Sequence, residues 1–286
     1  MLFKKKNKLK YMDLCIIPGS FNGFKYYQFK REKNNQLEYA KSRLQNIVLP
    51  SIGMFKEHYE NFYFFKSRDE FKKTFKKETS LFPYNYHINM DKRKYVKQCI
   101  WANLEKDNKI FSFTKMSVPN LVSKNVKSQI NTKKKIITIT LRESSYTVER
   151  NSSLKEWKKF IEYLEKKKFF IIVIRDFEKI YKNDYFKRYE LFPMASYDII
   201  TRSALYKISN FNLFVNGGPQ TICWINEYNS ISWKVWGDGN NRGLHEDNLG
   251  LERDEKSKIL NRRRNVLLSD DDNFLNLIKI KKFLFK

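Results

Sequence analysis

Cysteine, histidine, glycine and proline are all scarce in this chain. Its three cysteines, Cys15, Cys99 and Cys223, are an odd number at spacings that fit neither a zinc site nor a disulfide framework, which points to a reducing compartment. The three histidines, His58, His87 and His245, stand far apart without metal-ligand spacing and read as surface or packing residues. No apolar stretch approaches the roughly 20 residues of a membrane span, and the basic start MLFKKKNKLKYMDLCIIPGS lacks an apolar segment long enough for a signal sequence. A cytoplasmic location is expected. With only 9 glycines in 286 residues, the adjacent pair in NLFVNGGPQT, residues 212–221, calls for a reason.

Aromatic and basic side chains are plentiful instead. The chain has 24 Phe and 17 Tyr and is 41% hydrophobic, ample for a core and unlike a disordered protein. Its length is compatible with two domains. Lys plus Arg is 57 and Asp plus Glu is 31, giving 57 − 31 = +26. Such a field attracts polyanions: nucleic acid, acidic lipid head groups or phosphorylated small molecules. The accompanying wealth of Asn, Ile, Phe and Tyr is also what AT-rich codon usage produces, so charge alone names no partner.

Early elements are short. Residues 12–17 predict a strand, 34–48 a helix with Leu37, Ala40, Leu44, Ile47 and Val48 on one face and Pro50 closing it, 62–65 a strand, and RDEFKKTFKKE a helix. SKNVKSQINTKKK, residues 123–135, reads as a polar, basic linker or exposed loop. Beyond it the pattern sharpens. Residues 136–141 and 169–174 are β-branched or aromatic runs typical of strands buried on both faces. Between them Leu154, Trp157, Phe160, Ile161 and Leu164 form a helical stripe with Asn151, Ser152 or Ser153 as N-cap. A helix over 197–208, a strand over 212–215 and a helix over 219–226 follow. The alternation predicts an α/β fold with a parallel sheet, its ligand crevice formed by loops 142–153 and 216–220. The expected division is an N-terminal α/β domain over 1–130 and a Rossmann-like domain over 131–286.

At the end of a parallel strand, a Gly-Gly-Pro turn lets backbone approach a ligand, and the first-turn N–H groups of the next helix favour phosphate. Pro219 suits a first helical position, and Gln220 and Thr221 would point polar groups into the same space. The alternative is an ordinary strand-to-helix turn in which glycine solves a steric problem.

The segment YDIITRSALYKISNFNLFVNGGPQTICWIN resembles the last conserved stretch of the heptosyltransferase-like glycosyltransferases: helix, apolar strand, an Asp-Ser/Thr-Gly-Pro-type loop, helix. KKIITITLRESS and NSSLKEWKKFIEYLEKKKFFIIVIRD likewise resemble the opening of that family's second domain. The likeness covers about residues 133–226. It implies a GT-B architecture, two Rossmann-like domains facing across a cleft, with a nucleotide-sugar donor held by the second and transfer proceeding without a metal or other cofactor. It further implies that Asn216, Gly217, Gly218, Pro219 and Gln220 line the donor site, and that Arg142 clamps the diphosphate through paired hydrogen bonds. The chain has Asn216 where the family loop begins with Asp, and Thr221 where His is frequent. Ile139-Thr140-Leu141-Arg142-Glu143 is also loosely similar to the fucosyltransferase-like branch of GT-B folds.

The implied function is sugar transfer to a hydroxyl of a saccharide or lipid-linked acceptor in surface polysaccharide or lipopolysaccharide assembly, with attachment to the inner face of an anionic membrane. Two other classes stay open: a basic nucleic-acid-binding protein, for which KYYQFKREK and NFYFFKSRDEFKKTFKK interleave aromatics with lysine, and an inactive Rossmann-like scaffold. No helix-turn-helix, zinc or RNA-recognition motif supports nucleic acid.

Asp13, Glu143, Asp176 and His87 are candidate general bases, although Arg175 is a ready ion-pair partner for Asp176. Asp270-Asp271-Asp272 reads as a helix N-cap ahead of Phe274 rather than a metal site. Trp224, Trp233 and Trp236 are candidates to stack a base or sugar, and equally candidates for core. The basic, amphipathic tail NFLNLIKIKKFLFK reads as a membrane-surface or docking segment.

Overall fold

The computed structural model describes residues 12–17, 41–75, 115–145, 148–235, 265–268 and 270–284. Expectations for His87, Cys99, Trp236, His245 and residues 34–40 lie outside them. Among the described residues the chain is α/β, with two sheets, both parallel.

The smaller sheet pairs β1 (Leu14–Ile16) with β2 (Phe62–Phe64), Leu14 opposite Phe62. Asp13 is held beside it by Asn61, whose N–H and Nδ2 donate to Asp13 Oδ1 at 3.1 and 3.0 Å. A helical run through residues 41–54 crosses Pro50 without stopping there: a π-turn, Leu44–Val48, leads into α1 (Leu49–Met54). The wider turn, in which Leu49 N–H bonds Leu44 O, relieves the crowding that proline causes in a regular helix. Next, α2 (Arg68–Thr74) starts at Ser67, whose hydroxyl accepts from Glu70 N–H.

The five strands of the larger sheet are β3 (Ile136–Thr140), β4 (Phe170–Ile174), β5 (Phe211–Val215), β6 (Ser230–Trp233) and β7 (Asn265–Leu267). They lie in the order β4-β3-β5-β6-β7. Alternate side chains enter different cores, so both faces of the sheet are buried, and the polar residues Thr138, Asn212, Ser230 and Ser232 lie inside with the apolar ones. Ile137, Ile139, Leu213, Ile231 and Trp233 face α4 (Leu154–Lys166), which buries Trp157, Phe160, Ile161 and Leu164. Ile172, Ile174 and Phe214 face α5 (Ile199–Ile208) and α6 (Gln220–Asn226), together with Cys223. Buried Asn212 pins the sheet, bonding the Thr138 hydroxyl and the carbonyls of Tyr206 and Asn229.

The expected linker is in its first part a helix, α3 (Asn120–Gln129), packed on α5. Val118, Val122, Val126 and Ile130 recur every fourth residue, a stripe one side chain wide that burial against α5 stabilises despite the basic surroundings. The tail forms α7 (Phe274–Ile278) and α8 (Lys281–Leu284), and Leu277, Ile280 and Leu284 are buried with α4 in the sheet's core. Leu275, by contrast, is exposed. Among the described residues no helix is long and apolar enough to cross a membrane.

Candidate functional site

Chain direction in the larger sheet reverses between β3 and β5. From β3 the chain passes outward to β4, then returns across the sheet and proceeds through β5, β6 and β7. In an open parallel sheet, the loops leaving the carboxyl ends of the strands diverge at such a point and leave a crevice. The loops here are residues 141–153 and 216–219, against the expected 142–153 and 216–220; Gln220 already belongs to α6. They meet directly: Arg150 Nη2 donates to the Asn216 carbonyl at 3.3 Å.

The first loop is closed on itself. Arg142 N–H donates to the Ser152 hydroxyl at 2.9 Å and Ser152 N–H to the Arg142 carbonyl at 2.8 Å, while Asn151 bonds both backbone groups of Ser144. Arg142 is half-buried, and its Nε is out of reach of solvent.

In the second loop the glycines answer no steric need. A Cβ at Gly218 would meet nothing within 4 Å, and one at Gly217 would make ordinary 3.6 Å contacts with Pro219 and the Val215 carbonyl. The reading of this loop as a steric solution therefore fails. Asn216 and Gln220 point inward, 2% and 1% exposed, and Gln220 Nε2 donates to Asn216 Oδ1 at 2.9 Å. Asn216 Nδ2 and Gln220 Oε1 are buried without hydrogen-bond partners, each costing about 1–3 kcal/mol. The helix start is less open than the sequence suggests. Thr221 and Ile222 N–H groups are already bonded to the Gly218 and Pro219 carbonyls at 3.1 and 3.2 Å. What the loop offers outward is Gly217, Gly218 and Pro219.

Behind the crevice, Arg175 at the end of β4 is 1% exposed and forms a two-pronged bond with Glu143, Nε to Oε2 at 2.8 Å and Nη2 to Oε1. Its Nη1 donates to Asp184 at 2.8 Å and lies 3.7 Å from Glu190. Burial opposes the Arg175 charge, but Glu143 and Asp184 outweigh it and raise its pKa. Glu190 titrates above the usual carboxylate range, chiefly because burial outweighs Lys187 and Arg175. Glu143, tied into this cluster, is not a free base.

Asp176 is not paired with Arg175. It accepts the Glu143 N–H at 2.5 Å. Burial raises its pKa, opposed by that N–H and by the charges of Arg142 and Arg202. A half-buried carboxylate between two arginines thus stands at the carboxyl end of β4.

Asp272 gives the opposite picture. Instead of capping α7, a role taken by Asn273, it crosses to the start of α4. Ser153 N–H and Oγ, Trp157 Nε1 and Lys234 Nζ all donate to its carboxylate at 2.7–2.8 Å. Burial pushes this carboxyl up, and the bonds from Lys234 and Ser153 bring it below its ordinary value. Ser153 is the N-cap residue as expected, yet its hydroxyl donates to Asp272 rather than capping the helix itself. Lys234 sits in the left-handed region, φ 54°, and also donates to the Asn151 carbonyl. The α4 N-terminus is filled by the protein's own anion.

Arg150, Lys234 and the role of Asp272 were missed, because their partners, Asn216, Asn151, Ser153 and Trp157, lie far from them in the chain. Trp224 and Trp233 belong to the core, as one of the two readings has it. Trp233 packs edge-on against Trp157 with ring centres 5.5 Å apart, and Trp224 is buried on α6. Among the described residues no three metal-ligating side chains are grouped to hold an ion. No protein-family model, curated protein or solved structure matches the chain.

Proposed function

We propose that the chain is a glycosyltransferase of the two-domain, Rossmann-like GT-B class, which binds a nucleotide-sugar at the β3/β5 crevice and transfers the sugar to a hydroxyl acceptor. The observation that carries this reading is the meeting of loops 141–153 and 216–219 at the switch point, with a glycine pair there that the fold does not require.

In this reading the donor's diphosphate lies over Gly217 and Gly218, where backbone approach is unobstructed, and Arg142 compensates its charge as it departs. Asn216 and Gln220 shape the loop from beneath. The acceptor oxygen attacks the anomeric carbon, the bond from that carbon to the diphosphate oxygen breaks with its electron pair leaving on the diphosphate, and the acceptor proton passes to a base. Asp176 is the carboxylate we assign to that step, since a raised pKa suits a proton acceptor working near neutrality. Arg175 and Glu143 hold the strand ends in place.

Thermal-shift titration with nucleoside diphosphates and nucleotide-sugars tests the reading. A rise in melting temperature with one nucleotide is expected. Gly218→Val and Arg142→Ala should each weaken that binding by about tenfold or more with the unliganded melting temperature little changed, because a Cβ at Gly218 has open space. No response to any nucleotide, together with steeply salt-dependent nucleic-acid binding, would overturn it.

A further inference from the structure

The turn after β6 carries a strained lysine. Among the described residues, three that are not glycine have positive φ: Lys168 at 62°, Glu227 at 62° and Lys234 at 54°. The first two end helices, α4 and α6, where a left-handed residue is an ordinary stop. Lys234 ends no helix. It directly follows β6, and glycine would hold the same backbone without the steric cost that a Cβ adds there. What lysine supplies at this position, and glycine lacks, is the ammonium group.

That group joins the two crevice loops. Lys234 Nζ donates to the Asn151 carbonyl at 2.9 Å and to Asp272 Oδ1 at 2.8 Å. The carbonyl of its chain neighbour Trp233 accepts the Asn216 N–H at 2.9 Å, and Arg150, the chain neighbour of Asn151, donates to the Asn216 carbonyl at 3.3 Å. The pairs 150–151 and 233–234 thus close a ring through Asn216, the residue that begins the glycine loop, and engage both of its backbone groups. Fully buried Asp272 secures the ring. It compensates the Lys234 charge and accepts from the N–H and the hydroxyl of Ser153, two residues beyond Asn151.

We propose that Lys234 is a positioning residue for the crevice: through this ring, and anchored by Asp272, it locks loop 141–153 onto loop 216–219. The lock fixes the spacing between Arg142 on the first loop and Gly217 and Gly218 on the second. Lys234 touches no ligand in this arrangement; it acts through Asn151, Arg150 and Asn216. Strain at its backbone is offset by the order it imposes on two segments that are far apart in the chain. That the fixed spacing serves a diphosphate rests on the transferase reading; the lock itself does not.

Amide hydrogen exchange of the full chain, without nucleotide, tests the lock. In Lys234→Met, which keeps the side chain's length and removes its charge, the amides of residues 148–153 and 216–218 should exchange about tenfold faster or more, as expected for loss of a hydrogen bond from a charged group. Amides inside β3 and β5 should keep the parent's protection, which separates a lock from a general loss of stability. Arg150→Met, at a half-buried residue, opens the ring from its other side and should free the same two segments; the double variant should then exchange little faster than either single one. Titration with adenosine, guanosine, cytidine and uridine diphosphates should show the affinity of whichever binds the parent reduced by about tenfold in Lys234→Met. Parent-like exchange in both segments, equal acceleration through β3 and β5, or additive effects of the two substitutions would overturn the lock. Freed loops with undiminished diphosphate affinity would overturn the positioning role. No diphosphate binding by the parent, with the loops freed as expected, would sink the nucleotide reading and leave the lock standing.

Discussion

At the scale of single residues, Asn216 and Gln220 are the clearest sign that loop 216–219 is not built for stability alone. One donor and one acceptor are left unsatisfied in the interior, and apolar side chains of similar size would remove that cost. We therefore predict that Asn216→Leu with Gln220→Leu leaves the melting temperature unchanged or higher while nucleotide binding is lost. A large fall in melting temperature would show that the amide pair is needed by the fold. Glu143 has the contrary role. Replacing it with Ala leaves Arg175 buried beside poorly matched carboxylates, and a loss of about 3–5 kcal/mol is expected in denaturant unfolding. Retained stability would mean that Asp184 and Glu190 suffice.

Elements show where the sequence was legible and where it was not. β3, β4 and β5 were readable because strands buried on both faces are short runs rich in apolar and β-branched residues, interrupted in β3 and β5 only by Thr138, Thr140 and Asn212, and α4 because Trp157, Phe160, Ile161 and Leu164 repeat at helical spacing. The two crevice loops followed from the order of those elements. The reading failed where tertiary contact overrides local composition: α3 has a stripe one residue wide among lysines, and the run through Pro50 depends on a π-turn. The inward orientation of Gln220 was hidden because its partner, Asn216, could equally have faced a ligand. Nor could local pattern show that Asp272 fastens α7 to α4, since Ser153 and Lys234 become its neighbours only after folding. That fastening has a pH signature. Asp272 titrates below its ordinary value in the folded chain, so its contribution to stability is present above the unfolded pKa and is lost as pH falls through the folded one. Asp272→Asn should lower stability near neutrality and flatten the acid side of a melting-temperature profile; a profile parallel to the parent's would place the acid sensitivity elsewhere.

For the whole molecule, a net charge of +26 opposes compaction and favours polyanions. The two parallel sheets raise a separate question, whether they open together. Two thiols can answer it. Cys15 lies half-exposed on β1, whereas Cys223 is fully buried on α6 and burial raises its pKa well above the ordinary thiol value. With Cys99 replaced by Ser, each sulfur becomes a clock for its own sheet, since a thiol-specific reagent modifies the thiolate of an exposed cysteine. Rapid modification of Cys15 with Cys223 protected until global unfolding would reveal two units that open independently, and matched rates would reveal one. A nucleotide that slows the Cys223 clock alone would report, from the back of the helix, that the glycine pair in front of it has been engaged.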